Sequence, residues 1–287
     1  MGVAMTTFDN GWTRFWNRGG WWRALLVVVV YWGVYELIGL GLSTVFLDFI
    51  DVDNPLSTPL SVFFGVALPI IVAGALLLLF VWSLGWLREI FGRQPVAGRP
   101  WMWLAVVLVI VPIVLRLVGT NWSAYSVTLV LSVLFLGLCV GFTEELATRG
   151  IAINLMRRGG HGERAVFLVS SLLFALLHAG NIVSGQAPIA VAFTVVYTFG
   201  FGAMMYLSLR VTGRLYWAML LHAATDPTTM LAVGGIDAHS DAAGGISGTV
   251  LIASFFNYLY FVFALVAIFF VRSRDRARES GTVDAGR

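Results

Sequence analysis

Eight apolar runs, most of them long enough to cross a lipid bilayer, dominate this chain and restrict what it can fold into. They fall at residues 24–47, 60–87, 101–118, 125–156, 165–178, 188–209, 215–233 and 249–271. A hydrocarbon core about 30 Å thick is crossed by about 20 helical residues, so the runs predict an all-α, polytopic transmembrane helical bundle of about eight spans. The fourth run is longer than one crossing needs. The fifth and seventh are short or polar enough to be incomplete or broken spans. Composition agrees: 11% of residues are charged, less than half of the roughly 25% usual in a soluble domain.

The basic residues number 18, and all are arginine. Arg14, Arg18 and Arg23 precede the first run; Arg88, Arg93 and Arg99 separate the second and third; Arg157, Arg158 and Arg164 the fourth and fifth; Arg210 and Arg214 the sixth and seventh. Arg272, Arg274, Arg276, Arg278 and Arg287 follow the eighth, and only Arg116 and Arg149 lie inside runs. The alternate loops carry Asp48, Asp51, Asp53, Asp237 and Asp241 and no arginine. Arginine collects in short cytoplasmic loops, so both termini are expected in the cytoplasm of a multi-pass protein of the cell membrane. A net charge of +3 suits anchoring to a bilayer and gives no reason to expect a nucleic-acid partner.

Three regions follow. Residues 1–23 form an interfacial amphipathic segment, in which Phe8, Trp12, Phe15 and Trp16 recur at helical spacing among arginines. Residues 24–271 form one membrane domain with a motif-bearing core at about 125–233, and residues 272–287 a basic cytoplasmic tail. The first arginines before an apolar run resemble a signal peptide. The run is too long for one and has no convincing small-residue cleavage site, so it reads as an uncleaved first span. Cys139 is the only cysteine, which excludes an intrachain disulfide and a multi-thiolate metal site.

Within this hydrocarbon background, residues 141–150 read G-F-T-E-E-L-A-T-R-G. A charge at bilayer depth costs roughly 3 kcal/mol or more unless it is paired or faces a wet cavity, so Glu144 and Glu145 mark a candidate site. His178 closes the fifth run four residues after Phe174, and in the seventh run Asp226 follows His222 at i+4, on one helical face. At 1.5 Å per residue from the arginine-bearing ends, Glu144, His178, His222 and Asp226 lie roughly 18, 21, 12 and 18 Å deep. Four polar groups on three helices thus share one layer. A poorly hydrated carboxylate suits general-base work on a water, and neighbouring histidines can orient that water or bind developing negative charge. Glu144, His178, His222 and Asp226 are also acceptable ligands for Zn²⁺, although no H-E-x-x-H helix motif is present.

These residues resemble the CPBP family of intramembrane endopeptidases, which includes CAAX prenyl proteases of the Rce type and bacteriocin-processing or self-immunity proteins. The family pattern E-E-x-x-x-R, F-x-x-x-H, H-x-x-x-N or D is matched in order by Glu144, Glu145 and Arg149; Phe174 and His178; His222 and Asp226. The resemblance implies an endopeptidase acting on a peptide or membrane-protein substrate. In it Glu144 and His178 activate water, Glu145 pairs with Arg149, and His222 with residue 226 stabilises the oxyanion. Where the family has asparagine this chain has Asp226, which donates a hydrogen bond only when protonated. The resemblance leaves a metal-dependent and a metal-free mechanism both open.

Two other readings use the same groups: a proton-coupled transporter, or a scaffold or immunity protein that binds a peptide without cutting it. Transport would favour broken helices in inverted repeats, and no convincing repeat is found. Glu36 and Arg116, at roughly 18 and 22 Å, are expected to pair across two helices, or otherwise to line a cavity. Asn257 is expected to hold helices together, and Gly200, Gly202 and Ala203 to permit close packing. His161 and His239 fall in loops. The charge pattern makes a direct prediction: single cysteines at Arg93, Arg158 and Ser280 are labelled from the cytoplasm, and at Asp53 and Asp241 from outside. Opposite sidedness of either group overturns the assignment.

Overall fold

The structure, a computed structural model, describes residues 10–183, 185–234 and 247–272. Phe8, Asp237, His239, Asp241 and the tail arginines beyond Arg272 lie outside the described residues. The described chain is helical throughout: α1 (Gly11–Asn17), α2 (Trp21–Val45), α3 (Pro59–Ser83), α4 (Leu87–Phe91), α5 (Trp103–Gly119), α6 (Val127–Arg158), α7 (Glu163–His178), α8 (Pro188–Thr212), α9 (Leu215–Val233) and α10 (Gly248–Phe270).

Seven of these helices are long and apolar enough to cross a membrane, against the eight expected. The exception is α9, whose His222, Thr225, Asp226, Thr228 and Thr229 dilute its apolar residues. The fifth run is less incomplete than its composition suggests, because a 3₁₀ turn carries α7 on to Ile182. Helix α9 nevertheless runs from one end of the bundle to the other. At its start Gln94 N donates to Gly213 O at 2.9 Å, and near its end Leu231 O accepts from Tyr125 Oη at 2.8 Å. Its 19 residues extend about 28 Å, close to a hydrocarbon thickness. Neighbouring helices, not lipid, cover its polar face.

The arginine-bearing segments meet at one end of this bundle. Gly20 N donates to Leu155 O at 2.7 Å, Arg158 pairs with Glu89, and Arg157 grips Glu163 at 2.7 and 3.0 Å. Arg210 reaches Glu163 Oε2 at 2.7 Å, Ala97 O at 2.6 Å and Arg272 O at 3.2 Å. Both ends of the described chain lie on this face. Helix α1 rests there as well: Trp12 Nε1 donates to Ser83 Oγ at 3.1 Å, and Trp86 Nε1 to Asn17 Oδ1 at 3.0 Å. Trp16 is buried against Phe80, while Trp12, Phe15, Trp21 and Trp22 stay exposed.

Helix α9 packs along α6 almost without side chains between them. A Cβ on Gly137 would lie 2.6 Å from Ala223 O, and one on Gly141 would lie 2.6 Å from Met219 O and 2.7 Å from Ala223 N. Glycines four residues apart remove the bulk that would hold the backbones apart. Pro227 adds to the fit, since its ring sits over Gly137 and its missing N–H withdraws the usual intrahelical partner of Ala223 O. Two expectations need correction. No ion pair joins Glu36 to Arg116 among the described residues: Glu36 faces a cavity, whereas Arg116 is buried with Nη1 unpartnered. Asn257 leaves its buried Oδ1 without a partner and so does not tie helices together through that atom. Because the α6–α9 contact is backbone on backbone, Gly141→Ile is expected to lower stability by about 1–3 kcal/mol, as overpacking does, and to separate His222 from Glu145. Thermal unfolding in detergent measures this, and an unchanged melting temperature would contradict the close approach.

Candidate active site

The site is built where α6 departs from regular winding. Residues Leu146–Ala152 form a π-helical turn directly after the two glutamates, a rare distortion that recurs at functional sites. Glu145 and Arg149 still meet at i+4, with Nη1 3.2 Å from Oε1 and both side chains fully buried. Arg149 is also held from other directions through both terminal nitrogens, while its buried Nε makes no hydrogen bond. Its Nη1 donates to Thr148 Oγ1 at 2.6 Å and its Nη2 to Gly202 O at 2.7 Å. Its guanidinium also lies 4.3 Å above the Phe174 ring. A buried guanidinium so held is a fixed positive centre beneath the glutamates.

His222 on α9 joins both carboxylate positions. Its Nδ1 is 3.0 Å from Glu145 Oε1, and its Nε2 is 3.3 Å from Asp226 Oδ2 and 4.0 Å from Glu144 Oε2. The ring is wedged between Phe174 and Phe201, with centroids 5.5 and 5.1 Å away. Carboxylate oxygens on both sides of the imidazole require protons on both nitrogens, or one on a carboxyl group. His178 is placed differently. Its Nδ1 is 3.1 Å from Phe174 O, a carbonyl that can only accept, so Nδ1 carries the proton and a neutral ring has its lone pair on Nε2. Phe174 therefore supports Arg149, His178 and His222 at once.

Glu144 and His178 open onto one cavity of about 120 Å³, lined also by Tyr31, Trp32, Tyr35, Glu36, Ile70, Leu177 and Asn181. That is room for several waters. Glu144 Oε2 makes no hydrogen bond. All four residues expected to do the chemistry, and all three expected to support it, are thus gathered within one neighbourhood. His222 directs both ring nitrogens at carboxyl groups, and among the described residues no three His, Cys, Asp or Glu side chains converge as ligands for a single metal ion.

Residues 126–228 match the family model of the Rce1-like type II CAAX prenyl endopeptidases. The Rce1-like segment runs from Ser126, which caps α6 through Oγ and Leu129 N at 3.2 Å, to two residues beyond Asp226, and it contains every motif residue. The Rce1-like family is a peptidase family, and the seven apolar helices fit a multi-pass membrane protein with such a segment. No curated protein and no solved structure matches the chain. The wall of the cavity formed by α2 lies outside the Rce1-like segment.

Two roles exceed the sequence reading. Glu145 does more than neutralise Arg149, since it also holds His222. Gly202 is not merely a packing glycine: its carbonyl seats Arg149, and a Cβ there would press on Arg149 Nη2 at 3.0 Å and Phe174 at 3.2 Å. Nothing in the sequence marks a backbone acceptor, whereas the link from Glu145 to His222 was within reach of the depth argument. Removing the cation from this set strands a buried carboxylate. Arg149→Ala is expected to lower stability by about 3–5 kcal/mol, the cost of breaking a buried pair from one side. Unaltered thermal unfolding of the purified variant would show that Glu145 is not left uncompensated.

Proposed function

We propose that the protein is an intramembrane endopeptidase of the cell membrane, with its arginine-rich face and both termini in the cytoplasm. It hydrolyses a peptide bond of a peptide or membrane-protein substrate with water activated by Glu144. The observation that carries this reading is the shared cavity: Glu144 and His178, the latter with Nε2 available, face the same space. Water held between them loses a proton to Glu144 as its oxygen bonds to the scissile carbonyl carbon. The carbonyl oxygen becomes an oxyanion, which His222 binds, and to which Asp226 donates a hydrogen bond when it carries a proton. Glu144 then passes its proton to the departing amine, and the C–N bond breaks. Glu145 keeps His222 aimed, and Arg149 holds Glu145 in place. This reading routes no step through a metal.

Cleavage of a tagged single-pass peptide library in reconstituted vesicles tests the proposal. Glu144→Gln is expected to reduce turnover by 10²-fold or more, the lower range for removal of a general base, with folding intact because the amide is isosteric. Full activity in Glu144→Gln would end the mechanism. Asp226 separates the remaining alternatives. If it donates to the oxyanion, Asp226→Asn keeps activity and extends it to higher pH, since an amide donates without needing a proton, while Asp226→Ala loses about 10²–10³-fold. If it ligates Zn²⁺, Asp226→Asn loses activity together with bound metal, and chelators silence the wild type.

A further inference from the structure

Four residues of the cavity wall come from α2, which lies outside the Rce1-like segment. They form two adjacent i,i+4 pairs, Tyr31 with Tyr35 and Trp32 with Glu36, so one strip of the helix presents three aromatic rings and a carboxylate. Glu36 was expected to pair with Arg116 and does not. Among the described residues it has no hydrogen bond and no ion pair, and it lines the same cavity as Glu144. Tyr35 is close enough to interact electrostatically with both carboxylates. Trp32 is fixed by close contact with Gly180, where a Cβ would lie 2.2 Å from its indole nitrogen. The strip is therefore held in place while Glu36 remains uncompensated.

A carboxylate at bilayer depth without a protein partner favours an occupant of its cavity that supplies the counter-charge. The other negative groups sharpen this requirement. Glu144 and Asp226 stand nearby with His222 between them, and Arg149 is paired with Glu145. Such a cavity attracts cations and repels carboxylates. Aromatic faces of tyrosine and tryptophan beside the carboxylate add cation–π attraction for an ammonium or guanidinium.

Resting on the proposed peptidase reading, we infer that the α2 wall is a specificity subsite, in which Glu36 with Tyr31, Trp32 and Tyr35 receives a lysine or arginine side chain of the substrate next to the cleaved bond. Glu36 is a positioning and selectivity residue and takes no part in bond making. The preferred substrate then carries a basic residue beside the scissile bond, and substrates with an acidic residue or a free C-terminal carboxylate at that place are rejected.

Matched peptides identical except for Lys, Gln or Glu at one position, scanned through the residues flanking the cleaved bond, test this in reconstituted vesicles. With wild-type protein, the Lys peptide at one position is expected to exceed its Gln counterpart by about 10-fold or more in kcat/KM, the range for a hydrogen bond to a charged group, with the Glu peptide poorest. Glu36→Gln is expected to erase the difference between Lys and Gln peptides through KM, and Glu36→Asp to keep most of it. Equilibrium binding of the same peptides to Glu144→Gln protein gives the charge preference without any cleavage. Charge-selective binding without cleavage by wild type would sink the peptidase reading and leave the subsite standing. Cleavage with equal kcat/KM for Lys, Gln and Glu peptides at every position, or a Lys preference that survives Glu36→Gln, would overturn the subsite.

Discussion

The close approach of α6 and α9 at Gly137 and Gly141 is the contact on which the site depends. Without side chains between the backbones, the imidazole of His222 can stand 3.0 Å from a carboxylate on the neighbouring helix. A pair of ordinary apolar helices packs with axes about 8–10 Å apart, and larger residues at these positions would push the axes toward the upper end of that range. Hydrogen-bond distance leaves no such margin. In a membrane, where water does not drive helices together, the gain in dispersion contacts and polar pairing that small residues permit is what holds them.

Around that contact the charges are arranged in alternation. Arg149 faces Glu145, Glu145 faces His222, and His222 faces Asp226 and, at longer range, Glu144. Each desolvated group borrows its stability from the next, so the set tolerates burial that no member would tolerate alone. The arrangement also has a direction. Arg149 is anchored on α8 through Gly202 O and on α7 through the face of Phe174, so the positive end is rigid. Glu144 lies at the other end with an oxygen that makes no hydrogen bond, and it is the member that opens on the cavity.

The second buried charge cluster, Glu163 with Arg157, Arg210 and Tyr206, does structural work at the arginine-rich face. It fastens the turn between α6 and α7 to α8 and, through Ala97 O and Arg272 O, to the segment before α5 and the end of α10. This end of the molecule is tied by ion pairs and backbone hydrogen bonds. The layer that holds Glu144 and His222, roughly 20 Å away along the helices, is tied by glycine packing and aromatic rings.

The sequence by itself determined how deep each polar group lies. Helical rise is constant, so distance along a helix from an arginine-rich end can be counted, and Glu144, His178, His222 and Asp226 could be assigned to one layer before any helix was placed. The motif order and the membrane class were legible for the same reason, since periodicity and hydropathy are properties of one helix at a time. The direction in which each group points around its helix was decided only by tertiary structure. Glu36 and Arg116 share a depth yet face different neighbours, because α2 turns Glu36 toward the cavity while Arg116 is buried elsewhere. Gly202 O became a ligand of Arg149, and Glu145 a partner of His222, only once α8 and α9 were docked. Helical rise is set by local backbone geometry, whereas the azimuth at which two helices meet is set by the side chains, or the absence of them, between their axes.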